Sequence, residues 1–177
     1  MLTFLIGPPG AGKSRLAPLL ATTLGTRALD LDLMITTTTG RSIVDIFAAE
    51  GERGFRAHER AALEHAIAAG AGVVATGGGI AQETANRALL RHAGRVVFLT
   101  ATPATQASRL STATERARRP LLAEAPNLLA RLETLYAERL AGYRATAHLE
   151  IATDEADPSW LVEQLAILLG ASPTARR

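Results

Sequence analysis

The chain has 177 residues, 47 % of them apolar and 4 % aromatic, with 19 basic against 17 acidic side chains for a formal charge of +2. That length suits one domain around one aliphatic core. So few stacking platforms and so slight a charge argue against nucleic acid as a partner, and the lack of cysteine excludes disulfides and thiolate metal sites.

Leu2 to Ile6 reads as a short buried strand. The opening residues lack a positive n-region, so a signal peptide is not expected. No apolar run approaches the ~20 residues that cross a bilayer. A cytoplasmic monomer without a membrane partner is therefore expected. A glycine loop follows the strand, and a helix is predicted from Gly12 to about Leu24, closed by Gly25. Ala28 to Leu31 is a second strand, running into Asp30-Leu31-Asp32. The β-branched run Thr36 to Thr39 predicts a short, irregular helix. Ser42 is a suitable N-cap for Ile43 to Glu50, with Gly51 ending that helix, and Phe55 to Ala69 has helical periodicity. Gly72 to Thr76 is a third strand, followed at once by Gly77-Gly78-Gly79. Glu83 to His92 is helical, and Arg95 to Leu99 is a fourth strand. Thr102-Pro103 opens another helix. Ser111 to Ala123 is polar and arginine-rich, without a core face. Pro126 to Tyr143 is a long helix, His148 to Ala152 a fifth strand, and Asp157-Pro158 caps a last helix to Leu169. Trp160 on that helix is expected in the core, and Ala171 to Arg177 as a frayed tail.

Alternating strands and helices predict an α/β fold: a five-stranded parallel sheet with helices on both faces, three layers in all. Ligands of such sheets gather at the carboxyl ends of the strands. The glycine loop, the two aspartates and the triple glycine each follow a strand, so all three are expected at one edge.

Gly7-Pro8-Pro9-Gly10-Ala11-Gly12-Lys13-Ser14 fits the phosphate-loop pattern G-x-x-x-x-G-K-[ST]. Lys13 is the only lysine of the chain; the other 18 basic residues are arginine. A compact ammonium on a flexible stem reaches between phosphates where a planar guanidinium fits poorly. Backbone amides from Gly10, Ala11, Gly12, Lys13, Ser14 and Arg15 are expected to cradle ATP phosphates, and the Ser14 hydroxyl to meet Mg²⁺. Asp30 and Asp32 alternate along a strand end, which places both on one side with Leu31 turned to the core. One carboxylate suits Mg²⁺ through water and the other a substrate hydroxyl. Arg56 and Glu59 stand three apart on a helix, where the carboxylate can orient the guanidinium. The four histidines show no metal-ligand spacing.

Several further motifs resemble the shikimate kinases: Asp-x-Asp at 30–32, Gly40-Arg41-Ser42-Ile43-Val44-Asp45-Ile46-Phe47, Gly51-Glu52, Phe55-Arg56-x-x-Glu59, the triple glycine, Arg119-Pro120-Leu121-Leu122, and Arg139 with Tyr143. They come in the family's order and cover nearly the whole chain. The resemblance implies a P-loop kinase with a substrate-binding region at about 32–60 and a mobile lid at about 111–123. It implies that the γ-phosphate of MgATP goes to the 3-hydroxyl of shikimate. Asp30 matches the magnesium-side aspartate and Asp32 the residue meeting the shikimate hydroxyls. Arg56 and Arg139 match the arginines on the shikimate carboxylate, with Glu59 supporting the site. Gly78 and Gly79 match glycines at the substrate, and Phe47 and Phe55 match the pocket wall. Arg119 matches the lid arginine at the phosphates. The family often places an adenine-stacking arginine seven residues before it, where this chain has Thr112. Arg109 or Arg116 can take that part by cation–π stacking. A kinase for another polyol acid such as gluconate, and a non-catalytic nucleotide sensor, are the rival readings.

Overall fold

The computed structural model describes residues 2–70, 72–112, 119–123 and 125–170. Its centre is a five-stranded parallel sheet in the order β2-β3-β1-β4-β5. β1 (Leu2–Ile6) lies between β3 (Gly72–Ala75) and β4 (Gly94–Thr100), with β2 (Ala28–Asp30) and β5 (Leu149–Ala152) at the edges. A central parallel strand has both faces covered, and every residue of β1 is accordingly buried.

The period-2 alternation of β1 divides the core. Leu2, Phe4 and Ile6 face one layer, where Leu63 and Ala66 of α3 (Ile43–Ala68), Leu90 of α4 (Thr84–Ala93) and Tyr143 of a long helix near the C-terminus pack. Leu5 faces the other, against Leu16 and Leu20 of α1 (Lys13–Thr23) and Leu161 and Leu165 of the last helix. Each such side chain, fully buried, contributes roughly 1.5–3 kcal/mol. The remaining helices among the described residues are α2 (Leu31–Thr39), α5 (Pro103–Arg109), α6 (Pro120–Ala123), α7 (Leu128–Thr146) and α8 (Pro158–Leu168), with a 3₁₀ turn at Ile80–Gln82. Leu110, Leu122, Leu132 and Leu135 form a small separate cluster that fastens α5 and α6 onto α7.

Local chemistry explains the helix ends that shape the site. Ser42 and Asp45 form a reciprocal capping box at the start of α3: Asp45 N–H donates to Ser42 Oγ at 3.1 Å, and Ser42 N–H to the Asp45 carboxylate at 3.3 Å. Gly51 then leaves helical geometry (φ 68°, ψ −174°), so α3 is two helices meeting at a kink without a loop. The two segments expected at 43–50 and 55–69 are thus present but directly joined.

Three expectations need correction. The threonine run is part of a regular nine-residue helix, α2, rather than an irregular one. Its hydroxyls bond back to helix carbonyls, Thr36 to Leu33 and Thr39 to Ile35 (3.0 and 2.8 Å), so they do not disrupt it. Asp32 is helical and not part of a strand, because Asp30 caps α2 by accepting from the amides of Asp32 and Leu33. Trp160 is 51 % exposed; the core face of α8 is filled by Leu161, Val162, Leu165 and Ala166. The tail from 171 and lid residues 113–118, including Arg116, lie outside the described residues.

Candidate active site

At the carboxyl edge of the sheet a cavity of about 550 Å³ opens between the phosphate loop, the start of α3, the triple glycine and the face of α7. Its lining includes Gly10, Gly12, Lys13, Ser14, Arg15, Asp32, Phe47, Phe55, Arg56, Glu59, Gly78, Gly79, Arg109, Arg119 and Arg139, which covers the expected site residues except Ala11 and Asp30. Ala11 packs in the core beneath the loop and turns its amide to the Pro8 carbonyl at 3.3 Å.

The loop leaves β1 and enters α1 at Lys13 with Gly10 and Gly12 in left-handed backbone (φ 78° and 90°). No side chain caps α1; the Arg15 amide turns to the Gly12 carbonyl at 3.1 Å, while those of Lys13 and Ser14 have no acceptor within the helix. Such an end is an anion site. Lys13 is only 8 % exposed and donates to the Gly7 and Pro8 carbonyls at 2.7 and 2.9 Å. Burial lowers its pKa to about 8; Asp32 and Asp30 oppose that shift, while Arg119 and Arg139 add to it.

Asp32 projects from the first turn of α2. Solvent reaches it through the cavity mouth, yet the surrounding walls strip much of its hydration. Its carboxyl is raised above the ordinary 3.8, first by that desolvation and then by Asp30, with Lys13, Arg119 and Arg56 pulling the other way. A carboxylate of raised pKa at the phosphate end of a cavity suits proton acceptance from a hydroxyl.

The opposite wall is built on Arg56. Its Nη1 donates to the fully buried Glu59 at 2.7 Å, its Nη2 to Glu52 at 2.7 Å, and its guanidinium carbon lies 5.4 Å from the centre of the Phe55 ring. Burial alone would lower the Arg56 pKa, but Glu59 and Glu52 hold it above the usual value. Burial raises the Glu59 carboxyl, against the pull of Arg56. Phe55 stacks at 4.8 Å on Phe47, which closes the apolar side. From α7, Arg139 donates to the Gly78 carbonyl at 3.2 Å, and the Tyr143 hydroxyl donates to the same oxygen. Burial pushes the Tyr143 pKa up to about 12, so it remains a donor.

The glycines have a reason beyond ligand approach. A Cβ on Gly77 would stand 2.2 Å from Glu59 Oε1, and one on Gly79 within 2.5 Å of three guanidinium atoms of Arg56. Glycine at 77 and 79 is what lets the ion pair lie flat against the loop. Glu59 Oε1 itself is buried without a hydrogen-bond partner.

At the nucleotide rim Arg109 acts differently from a free stacking arginine. Its Nη1 donates to the Gly10 carbonyl and to Thr153 Oγ1, both at 3.0 Å, and its Nη2 to the Thr153 carbonyl and, at 3.1 Å, to that of Asp154. It thereby ties the phosphate loop to the turn after β5. The face of the guanidinium and its Nε–H are left for a ligand. Sequence reasoning missed this tie, because its acceptors are mostly backbone carbonyls, which carry no side-chain signature. It also missed Leu135, which lines the cavity one turn before Arg139 on α7; that i,i+4 pairing was readable. No three His, Cys, Asp or Glu side chains converge as a metal site among the described residues.

The arrangement joins a phosphate cradle to an arginine-walled pocket. A profile of shikimate kinase matches residues 9–169. This chain belongs to the shikimate kinase family. A shikimate kinase of Symbiobacterium thermophilum is 43 % identical over 150 residues, 85 % of each chain. A shikimate kinase 2 of Yersinia pseudotuberculosis is 39 % identical over 166 residues, 94 % of each chain. Among solved structures, shikimate kinase from Acinetobacter baumannii in complex with shikimate superposes with a TM-score of 0.89 at 36 % identity, over 95 % of this chain and 92 % of that one. The family relationship covers the whole cavity, from the phosphate loop to the arginine of α7.

Proposed function

We propose that this protein transfers the γ-phosphate of ATP to the 3-hydroxyl of shikimate, yielding ADP and shikimate 3-phosphate. The observation that carries the reading is one cavity holding a phosphate loop at one end and the Arg56–Glu59 pair with Arg139 at the other, with Asp32 between them. Forked guanidinium groups suit a planar carboxylate. Arg56 and Arg139 would grip that of shikimate, with Phe47, Phe55, Gly78 and Gly79 shaping the walls and Glu59 holding Arg56 in place. Asp32 would orient the 3-hydroxyl and accept its proton as oxygen attacks phosphorus. Lys13, the loop amides and Arg119 would take the charge that spreads over the transferring group. Such transition states are loose, so alignment matters more than base strength.

Magnesium fits the residues present. The ion keeps several waters and takes phosphate oxygens, so it does not need a cage of carboxylates. The Ser14 hydroxyl at the head of α1 would meet it directly. Asp30, with Oδ1 bonded to two amides of α2, would meet its water shell through the other oxygen. The ion would neutralise phosphate charge. Arg109 would offer its guanidinium face to the adenine, in the place left by Thr112. No helix among the described residues is long and apolar enough to cross a membrane, and we read the protein as a cytoplasmic monomer.

A coupled ADP-release assay over shikimate, gluconate and no acceptor tests the reading. Release driven by shikimate alone is expected; release with gluconate at equal efficiency would overturn it. Two further outcomes follow from the site. Gly79→Ala forces Arg56 off its plane, so KM for shikimate should rise about tenfold or more, with a stability loss of about 1–3 kcal/mol by thermal melt. The second concerns protons. Phosphates favour charged Lys13, whereas free Lys13 titrates near 8. ATP binding should therefore take up a proton above pH 8 and weaken as pH rises. Calorimetry in buffers of different ionisation enthalpy measures that uptake, and none at pH 9 would contradict it.

A further inference from the structure

Arg56 carries two carboxylates, and they are not alike. Glu59 is fully buried on Nη1, while Glu52 reaches Nη2 from a side chain 52 % exposed. Glu59 belongs to the wall of the pocket. Glu52 is the first residue after the Gly51 kink, and it is not part of the cavity lining. Arg56 itself is 12 % exposed, pinned between Phe55 and Gly79. Glu59 holds Nη1 and Glu52 holds Nη2, each at 2.7 Å, so an arriving carboxylate meets a guanidinium whose two Nη groups are both engaged. Only the Glu52 half of this i,i+4 pair is exposed, so it is the partner that can turn out to solvent.

We propose that Glu52 is a specificity-determining residue: a built-in carboxylate that competes with the substrate's own carboxylate for Arg56. The inference rests on the reading of Arg56 as the substrate clamp. Glu52 keeps the guanidinium paired while the pocket is empty and yields to the solvent side when substrate enters. Displacing it subtracts from the affinity of every anion that reaches Arg56. A simple carboxylate has only that contact and loses to Glu52. A substrate that also meets Arg139 and Asp32 has further contacts and prevails. Glu52 thus filters acids by what else they carry.

Glu52→Gln and Glu52→Ala, each assayed with ATP saturating, test this. KM for shikimate should fall about three- to tenfold in both, with kcat altered far less. Inhibition by benzoate, a carboxylate without hydroxyls, should strengthen in parallel. Neither gain should appear when the substitution is made in an Arg56→Gln background. An unchanged or raised KM for shikimate in both single variants, with their melting temperatures intact, overturns the proposal, since a merely orienting Glu52 predicts a rise. A KM for shikimate untouched by Arg56→Gln alone overturns the clamp reading, and the proposal with it.

Discussion

Lys13→Met should lower kcat for phosphoryl transfer roughly a thousandfold or more while the protein still folds. Methionine retains the stem and the packing and removes only the charge. That charge is the one compact cation at the phosphate loop; the other cations lining the cavity are arginines at its rim and far wall. The fold should survive for an electrostatic reason. The folded-state pKa of Lys13 is about 8, below its ordinary 10.5, so holding the proton at neutral pH opposes folding. The penalty is full below pH 8 and disappears as pH rises past 10.5. Removing the ammonium removes it, at the cost of two hydrogen bonds to loop carbonyls. Turnover within tenfold of the parent, measured by ADP release, would contradict the phosphate-loop mechanism. Lys13→Arg should not restore activity, because a planar fork does not fit a space closed by the Gly7 and Pro8 carbonyls.

Asp32→Asn should reduce kcat/KM for shikimate about a hundredfold or more and at the same time raise the melting temperature of the unliganded protein. The carboxyl titrates above its ordinary 3.8 in the folded state because desolvation by the cavity walls and Asp30 disfavour its charge. Ionisation therefore costs stability, from nothing well below 3.8 to its full extent above the raised pKa. An amide of the same shape carries no such penalty. Lys13 would also lose its strongest favourable neighbour and titrate lower still. Paired kinetics and thermal melts at pH 7 check both halves; loss of activity together with a lowered melting temperature would contradict the electrostatic account. In the parent enzyme, the acidic limb of kcat should lie above the ordinary carboxylate range.

Both variants act on residues that stood out in the sequence, for different reasons. The phosphate loop is contiguous: eight neighbouring residues supply the turn, the amides, the ammonium and the hydroxyl, and no distant element is needed to assemble them. Arg56 and Glu59 were readable because three residues on a helix place two side chains on one face. Glu52, Arg56 and Glu59 extend the same face; the sequence shows Glu52 only as part of the Gly51-Glu52 motif, and the fold shows that it holds Nη2 of Arg56. Asp30 and Asp32 were found as a pair but given strand geometry. The capping bonds of Asp30 turn the backbone into α2 at that point, and so one aspartate lines the cavity while the other caps the helix beside it.

The sequence by itself determined the order of strands and helices, the phosphate loop, and the residue types gathered at one sheet edge. Those follow from periodicity, caps and glycine placement, all written within a few neighbouring residues. Only the tertiary structure decided which donors are already engaged and which side chains are buried. Arg109 is tied down by carbonyls more than 40 residues away, Arg139 reaches Gly78 across 61 residues, and Trp160 lies outside because other side chains fill the core. Burial and hydrogen-bond satisfaction depend on elements brought together by packing. They settle how a residue of given chemistry can act, which no local pattern contains.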